Sequence, residues 1–141
     1  LVYLFDTDAI SELLRPRPLQ RYLDWIRTVP RDAQFTSAVT VGELFKGAYR
    51  STAREHHLTN IEERVLPAVT ILPFDLSTAR VFGQIRADLE RDGNILPDAD
   101  LQIAATALYH DLELVTGNLR HFQRIPNLRL NHILSDSRAD R

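Results

Sequence analysis

The chain has 141 residues, of which 44% are hydrophobic and 26% charged, the proportions of one soluble domain with a full core. No apolar run reaches the roughly 18 residues of a membrane span, the apolar start is too short for a signal peptide, and the lack of cysteine excludes disulfides and thiolate zinc sites. The net charge of −2 argues against nucleic acid only until its distribution is read, because arginines crowd 15–31 and 120–129.

In chain order, the patterning predicts strand 2–5, helix 7–14, helix 18–28, strand 34–37 and helix 40–50. A long polar helix 52–66 follows, then strand 69–72, helix 76–91, helix 99–110, strand 112–116 and a short strand near 128–131. Two apolar stripes carry the later helices: Ala79, Phe82, Ile85 and Leu89, then Leu101, Ala104, Ala105 and Leu108. Pro16, Pro18, Pro73 and Asp92-Gly93-Asn94 mark the breaks. Strands alternating with helices predict an α/β fold, a three-layer α/β/α sandwich around a mostly parallel sheet. The domain is expected over 1–134, with 135–141 a polar, frayed tail.

Three acids sit where an apolar run gives way to a helix. Asp6 closes Leu1-Val2-Tyr3-Leu4-Phe5, Glu43 follows the run Phe35 to Thr40, and Asp100 opens Leu101 to Leu108. Sites in open α/β sheets assemble at the carboxyl ends of the strands. Carboxylates meeting there repel one another unless a cation lies between them, and oxygen-only ligands favour Mg²⁺ or Mn²⁺. Each acid also has a capping role open to it. Asp6 and Asp8 can cap the first helix, Thr40-Val41-Gly42-Glu43 has the capping-box spacing, and Asp98 and Asp100 suit a first helical turn. Capping and metal binding are compatible. Thr116-Gly117-Asn118 can complete the acidic pocket or simply form a turn. The five histidines lack zinc-ligand spacing and are expected on the surface or in packing.

Leu4 to Leu13, then Val39 to Leu44 with Gly47-Ala48, then Asp98 to Ala107, then Leu114 to Asn118 with His121-Phe122 form an ordered set. That set resembles the PIN-domain ribonucleases, and within them VapC, the toxin of bacterial toxin–antitoxin pairs, over residues 2–133. The resemblance implies an acidic pocket for Mg²⁺ or Mn²⁺, with Asp6 and Asp100 as metal ligands and Glu43 as the third acid. Asp98 stands at a helper acid's position, and Asn118 stands where many relatives have a fourth aspartate. It further implies hydrolysis of phosphodiester bonds in structured RNA, such as tRNA or rRNA loops, in the cytoplasm, and inhibition by a VapB-like antitoxin.

A homodimer is expected, with Tyr22, Trp25, Ile26, Phe45, Tyr49 and Ile61 as its candidate surface or the antitoxin's. Two rival readings are weighed. Phe5-Asp6-Thr7-Asp8 also resembles the opening of haloacid-dehalogenase-like phosphatases, but these need a late lysine and the one lysine is Lys46. An inactive PIN-like binding module would be expected to lose an acid, whereas all three are present.

Overall fold

The computed structural model describes residues 1–140, and Arg141 lies outside the described residues. Five strands form one sheet: β1 (Tyr3–Phe5), β2 (Gln34–Ser37), β3 (Thr70–Leu72), β4 (Glu113–Val115) and β5 (Leu130–Asn131). Their order is β3-β2-β1-β4-β5, and every pairing is parallel. The chain steps outward from β1 to β2 and β3, then returns to the other side of β1 as β4. That reversal opens a crevice beyond the carboxyl ends of β1 and β4, where sheets of this kind bind ligands. Phe5 is level with Thr36 and with Val115, so Asp6 and Thr116 leave the sheet together beside the last residue of β2, Ser37.

Successive residues of a strand point to opposite faces, and both faces are covered. Leu4 and Leu114, neither exposed, pack on the face covered by α5 (Leu76–Arg91) and α6 (Asp98–His110). Phe5 and Val115 point the other way, into a cluster with Ala9 and Ile10 of α1 (Thr7–Leu13) and Tyr22 of α2 (Gln20–Ile26). Leu44 and Ala48 of α3 (Ala38–Arg50) and Leu134 join them. The result is the expected three-layer sandwich. Tyr22 is fully buried and donates its hydroxyl to Ala9 O at 2.8 Å, which anchors α2 to the start of α1.

The long polar helix is in fact two pieces. α4 (Arg54–Asn60) runs directly into a π-helical turn, Ile61–Val65, whose Ile61 and Val65 reach the core. α7 (Leu119–Phe122) was not anticipated, since one turn carries no periodic signal. The expected frayed tail is likewise ordered as α8 (Ile133–Ala139), held by buried Leu134 and Ser137. Two buried positions are too few to show helical periodicity in a sequence.

The aromatic surface expected on the second helix and on 45–66 is also mostly interior. Tyr22 and Ile61 are buried, Trp25 packs on Tyr3, Phe5 and Tyr22, and Ile26 and Phe45 lean on the same cluster. Only Tyr49 of that set stands out, at 56% exposed. Among the described residues, no helix is long and apolar enough to cross a membrane.

Candidate active site

Asp6 both caps a helix and forms the floor of the crevice. Its extended backbone places it at the N-cap of α1, and Oδ1 accepts from Ala9 N at 2.8 Å. Oδ2 accepts from Thr116 Oγ1 at 2.5 Å, and its own N–H donates to Val115 O, so β1 and β4 both fix it. The side chain is nearly closed off from solvent, with the residue 4% exposed. Burial pushes its carboxyl up to about 7; the Thr116 and Ala9 hydrogen bonds oppose that shift, and the charges of Asp8 and Asp100 add to it. A carboxylate so placed is poised to take up either a proton or a cation.

Glu43 is not engaged in the capping box that its spacing allows. Ser37 is the N-cap of α3, its Oγ accepting from Thr40 N at 3.0 Å. Glu43 instead turns toward α1, where Thr7 Oγ1 donates to its Oε1 at 2.5 Å. Thr7, the residue after Asp6, is thus tied to the second acid. Glu43 and Thr7 also line an open cleft of about 450 Å³, whose walls include Leu44, Arg15 and His57.

α6 separates its two acids. No side chain caps it, so neither Asp98 nor Asp100 is used up as a cap. Asp98 is largely exposed and pairs with Arg86 of α5. Asp100 is partly buried, and its charge acts on Asp6 across the crevice. Its Oδ2 lies 3.1 Å from His121 Nδ1, and Asn118 Nδ2 lies 2.8 Å from the same nitrogen. A proton on Nδ1 serves Asp100, whereas a bare Nδ1 accepts from Asn118. Asn118 N donates to Thr116 Oγ1 at 2.9 Å, so the loop expected to be either pocket or turn is both.

Asp6, Asp100 and Asn118 therefore lie together at the end of β1 and β4, linked through Thr116 and His121, whereas Glu43 is tied to Thr7 and Asp98 to Arg86. Among the described residues, no three His, Cys, Asp or Glu side chains converge tightly enough to hold a metal unaided. A hard divalent cation takes oxygen ligands and can complete its coordination with water. The mutual charge of Asp6 and Asp100, with oxygen donors only, fits such an ion. Sequence reasoning missed His121 and Thr7. His121 follows Asn118 by three residues, a helical spacing that would have revealed it had α7 been recognised.

Asp8 speaks against phosphatase chemistry. A general acid must be free to deliver its proton, and Asp8 is gripped by Arg138 at 2.6 and 2.9 Å. Lys46 lies exposed on α3.

The PIN domain family model matches residues 3–128. The chain is similar to ribonuclease VapC2 of Haemophilus influenzae, at 34% identity over 92% of this chain and 96% of that protein. It is 39% identical to the tRNA(fMet)-specific endonuclease VapC of Salmonella typhimurium, over 67% of this chain and 70% of that one. Its structure also superposes on a VapC-containing complex, the DNA-bound VapBC of Salmonella typhimurium. There the TM-score is 0.86 and the identity 31%, with coverage of 93% of this chain and 97% of that one. With nearly the whole chain aligned, it belongs to the PIN-domain family, in the VapC branch of ribonucleases.

Proposed function

We propose that this chain is a divalent-metal-dependent endoribonuclease and the toxin of a toxin–antitoxin pair. The observation that carries the reading is the buried Asp6 carboxylate, tied to two strands and acted on by Asp100 across the crevice. Mg²⁺ or Mn²⁺ would be held by Asp6 and Asp100, with Glu43 acting through water. Such an ion, when bound, draws charge from the phosphoryl group and lowers the pKa of the attacking water.

The chain's own residues supply the rest. Thr116 and Ala9 fix the two oxygens of Asp6, and His121 steadies Asp100. Glu43, held by Thr7, would orient the attacking water. Water oxygen bonds to phosphorus as the bond to the 3′ oxygen breaks, giving a 3′-hydroxyl and a 5′-phosphate. The substrate is structured RNA, with tRNA or rRNA loops as the class. Loops suit a cleft because their bases are already unstacked, and the similarity to a tRNA-specific VapC supports that choice.

The partner is a VapB-like antitoxin, supported by the likeness to VapBC, and the toxin itself works as a homodimer in the cytoplasm. An inactive binding module is disfavoured because Asp6, Glu43 and Asp100 are all retained and ordered. The test is incubation with total RNA in Mg²⁺, in Mn²⁺ and in chelator, with the cut ends sequenced. Discrete cleavage that disappears with chelator is expected, with mass doubling by sedimentation velocity. Intact RNA under every condition would refute the nuclease reading.

A further inference from the structure

The family match ends at residue 128, yet the chain beyond it returns to the catalytic crevice. α8 docks against α2 through buried Leu134, which carries Arg138 across the start of α1. Nη1 lies 2.6 Å from Asp8 Oδ2 and Nη2 lies 2.9 Å from Asp8 Oδ1, a two-pronged pair. Nη2 also reaches Glu12 Oε1 at 3.3 Å. Glu12 is 1% exposed, and its other oxygen accepts from Leu19 N at 3.2 Å. The loop after β4 makes room for this. A Cβ at Gly117 would meet both Arg138 Nη1 and Asp8 Oδ2, so the pair in this arrangement crosses the loop where its glycine leaves room.

Asp8 stands two residues from Asp6, in the same first helical turn. Left alone, it would be a further carboxylate beside Asp6 and Asp100, able to draw a cation toward itself and to repel an incoming phosphate. The single bond to Glu12 already ties α8 to α1. The two-pronged grip on Asp8 does something a staple does not require: it fixes both oxygens of the one acid that competes with the site.

We propose that Arg138 is a positioning residue of the metal site, which holds the Asp8 carboxylate out of the cation's reach and leaves Asp6 and Asp100 as its ligands. The inference rests on the metal-nuclease reading above. It places a residue outside the matched segment in control of where the cation sits.

Mn²⁺ titration calorimetry, thermal melting and RNA-cleavage kinetics on four variants test it. Arg138→Ala should bind Mn²⁺ about tenfold more tightly, the size expected of one freed unit charge near a partly solvated site. Its kcat should nonetheless fall about 10–100-fold, as for lost supporting contacts around a metal. Arg138→Ala with Asp8→Asn should return both quantities to those of Asp8→Asn alone.

Asp8→Asn, which keeps the Glu12 contact and therefore the fold, should leave Mn²⁺ affinity within about threefold of the parent, since the sequestered acid was never a ligand. A tenfold loss in that variant would make Asp8 a ligand and overturn the proposal. So would an Arg138→Ala protein that melts earlier with unchanged Mn²⁺ affinity and kcat. Asp100→Asn serves as the control for the underlying reading. If it binds Mn²⁺ like the parent, the metal assignment fails whatever Arg138 does.

Discussion

Two aspartates in this chain do the same local job and end with opposite chemistry. Asp6 caps α1 and Asp75 caps α5, each accepting from the amide three residues on, at 2.8 and 3.1 Å. At exposed Asp75 the hydrogen bonds from Thr78 hold the carboxyl below its usual range. At Asp6 the corresponding bond is present, joined by one from Thr116, and the carboxyl still rises to about 7 because burial outweighs both. A cap motif therefore says where a helix starts but not what the acid does. That depends on what the rest of the fold lays over it.

The comparison is broken most directly by catalysis. Asp100→Asn and Asp6→Asn should each remove nearly all RNA cleavage, on the order of 10³-fold or more for loss of a metal ligand, whereas Asp75→Asn should cleave like the parent. A single-turnover assay on a mapped RNA site decides it. Comparable loss in all three would mean that the caps matter only for folding.

Stability against pH sharpens it next. The raised pKa of Asp6 means that the folded state holds a proton the unfolded chain has lost, between about 4 and about 7. Its favourable contribution is full below the unfolded value and disappears as pH rises through about 7. Asp75, with a lowered pKa, has the opposite slope: its contribution is present above the ordinary carboxylate range and fades as pH falls through the lowered value. In metal-free buffer, Asp6→Asn should stabilise the protein at pH 7.5 by on the order of a few kcal/mol and flatten its profile between pH 4 and 7. Urea unfolding at several pH values is the measurement. An unchanged slope would show that the folded-state carboxyl is not raised.

The smallest effect concerns the residue that periodicity overlooked. His121→Ala should lower kcat about 10–100-fold, the usual cost of losing a contact that orients a metal-binding carboxylate. His121→Asn, which can still donate to Asp100, should recover part of the loss. If alanine and asparagine cost the same, the imidazole acts by something other than its bond to Asp100.

Much of the fold was legible without coordinates. The alternation of apolar strands and striped helices specified a parallel α/β sandwich, since those periods are properties of neighbouring residues. The sites after β1 and β4 were legible too, because Asp6 and Thr116-Gly117-Asn118 directly follow apolar runs. The α7 turn, the ordering of α8 and the inward packing of Trp25 and Phe45 were not, because each depends on a surface supplied by a distant segment.

What the sequence determined by itself is therefore the layer order and the places of the acids beside apolar runs. Local pattern, propensity and helix-start chemistry act over a few residues and leave their marks in order along the chain. Which acid becomes buried, paired or free was decided only by tertiary structure. Thr116 reaches Asp6 across 110 residues, Arg138 reaches Asp8 across 130, and His121 reaches Asp100 across 21. Desolvation and Coulomb interaction follow distance in space, and the sheet's reversal beside β1 is what brings these residues to one crevice.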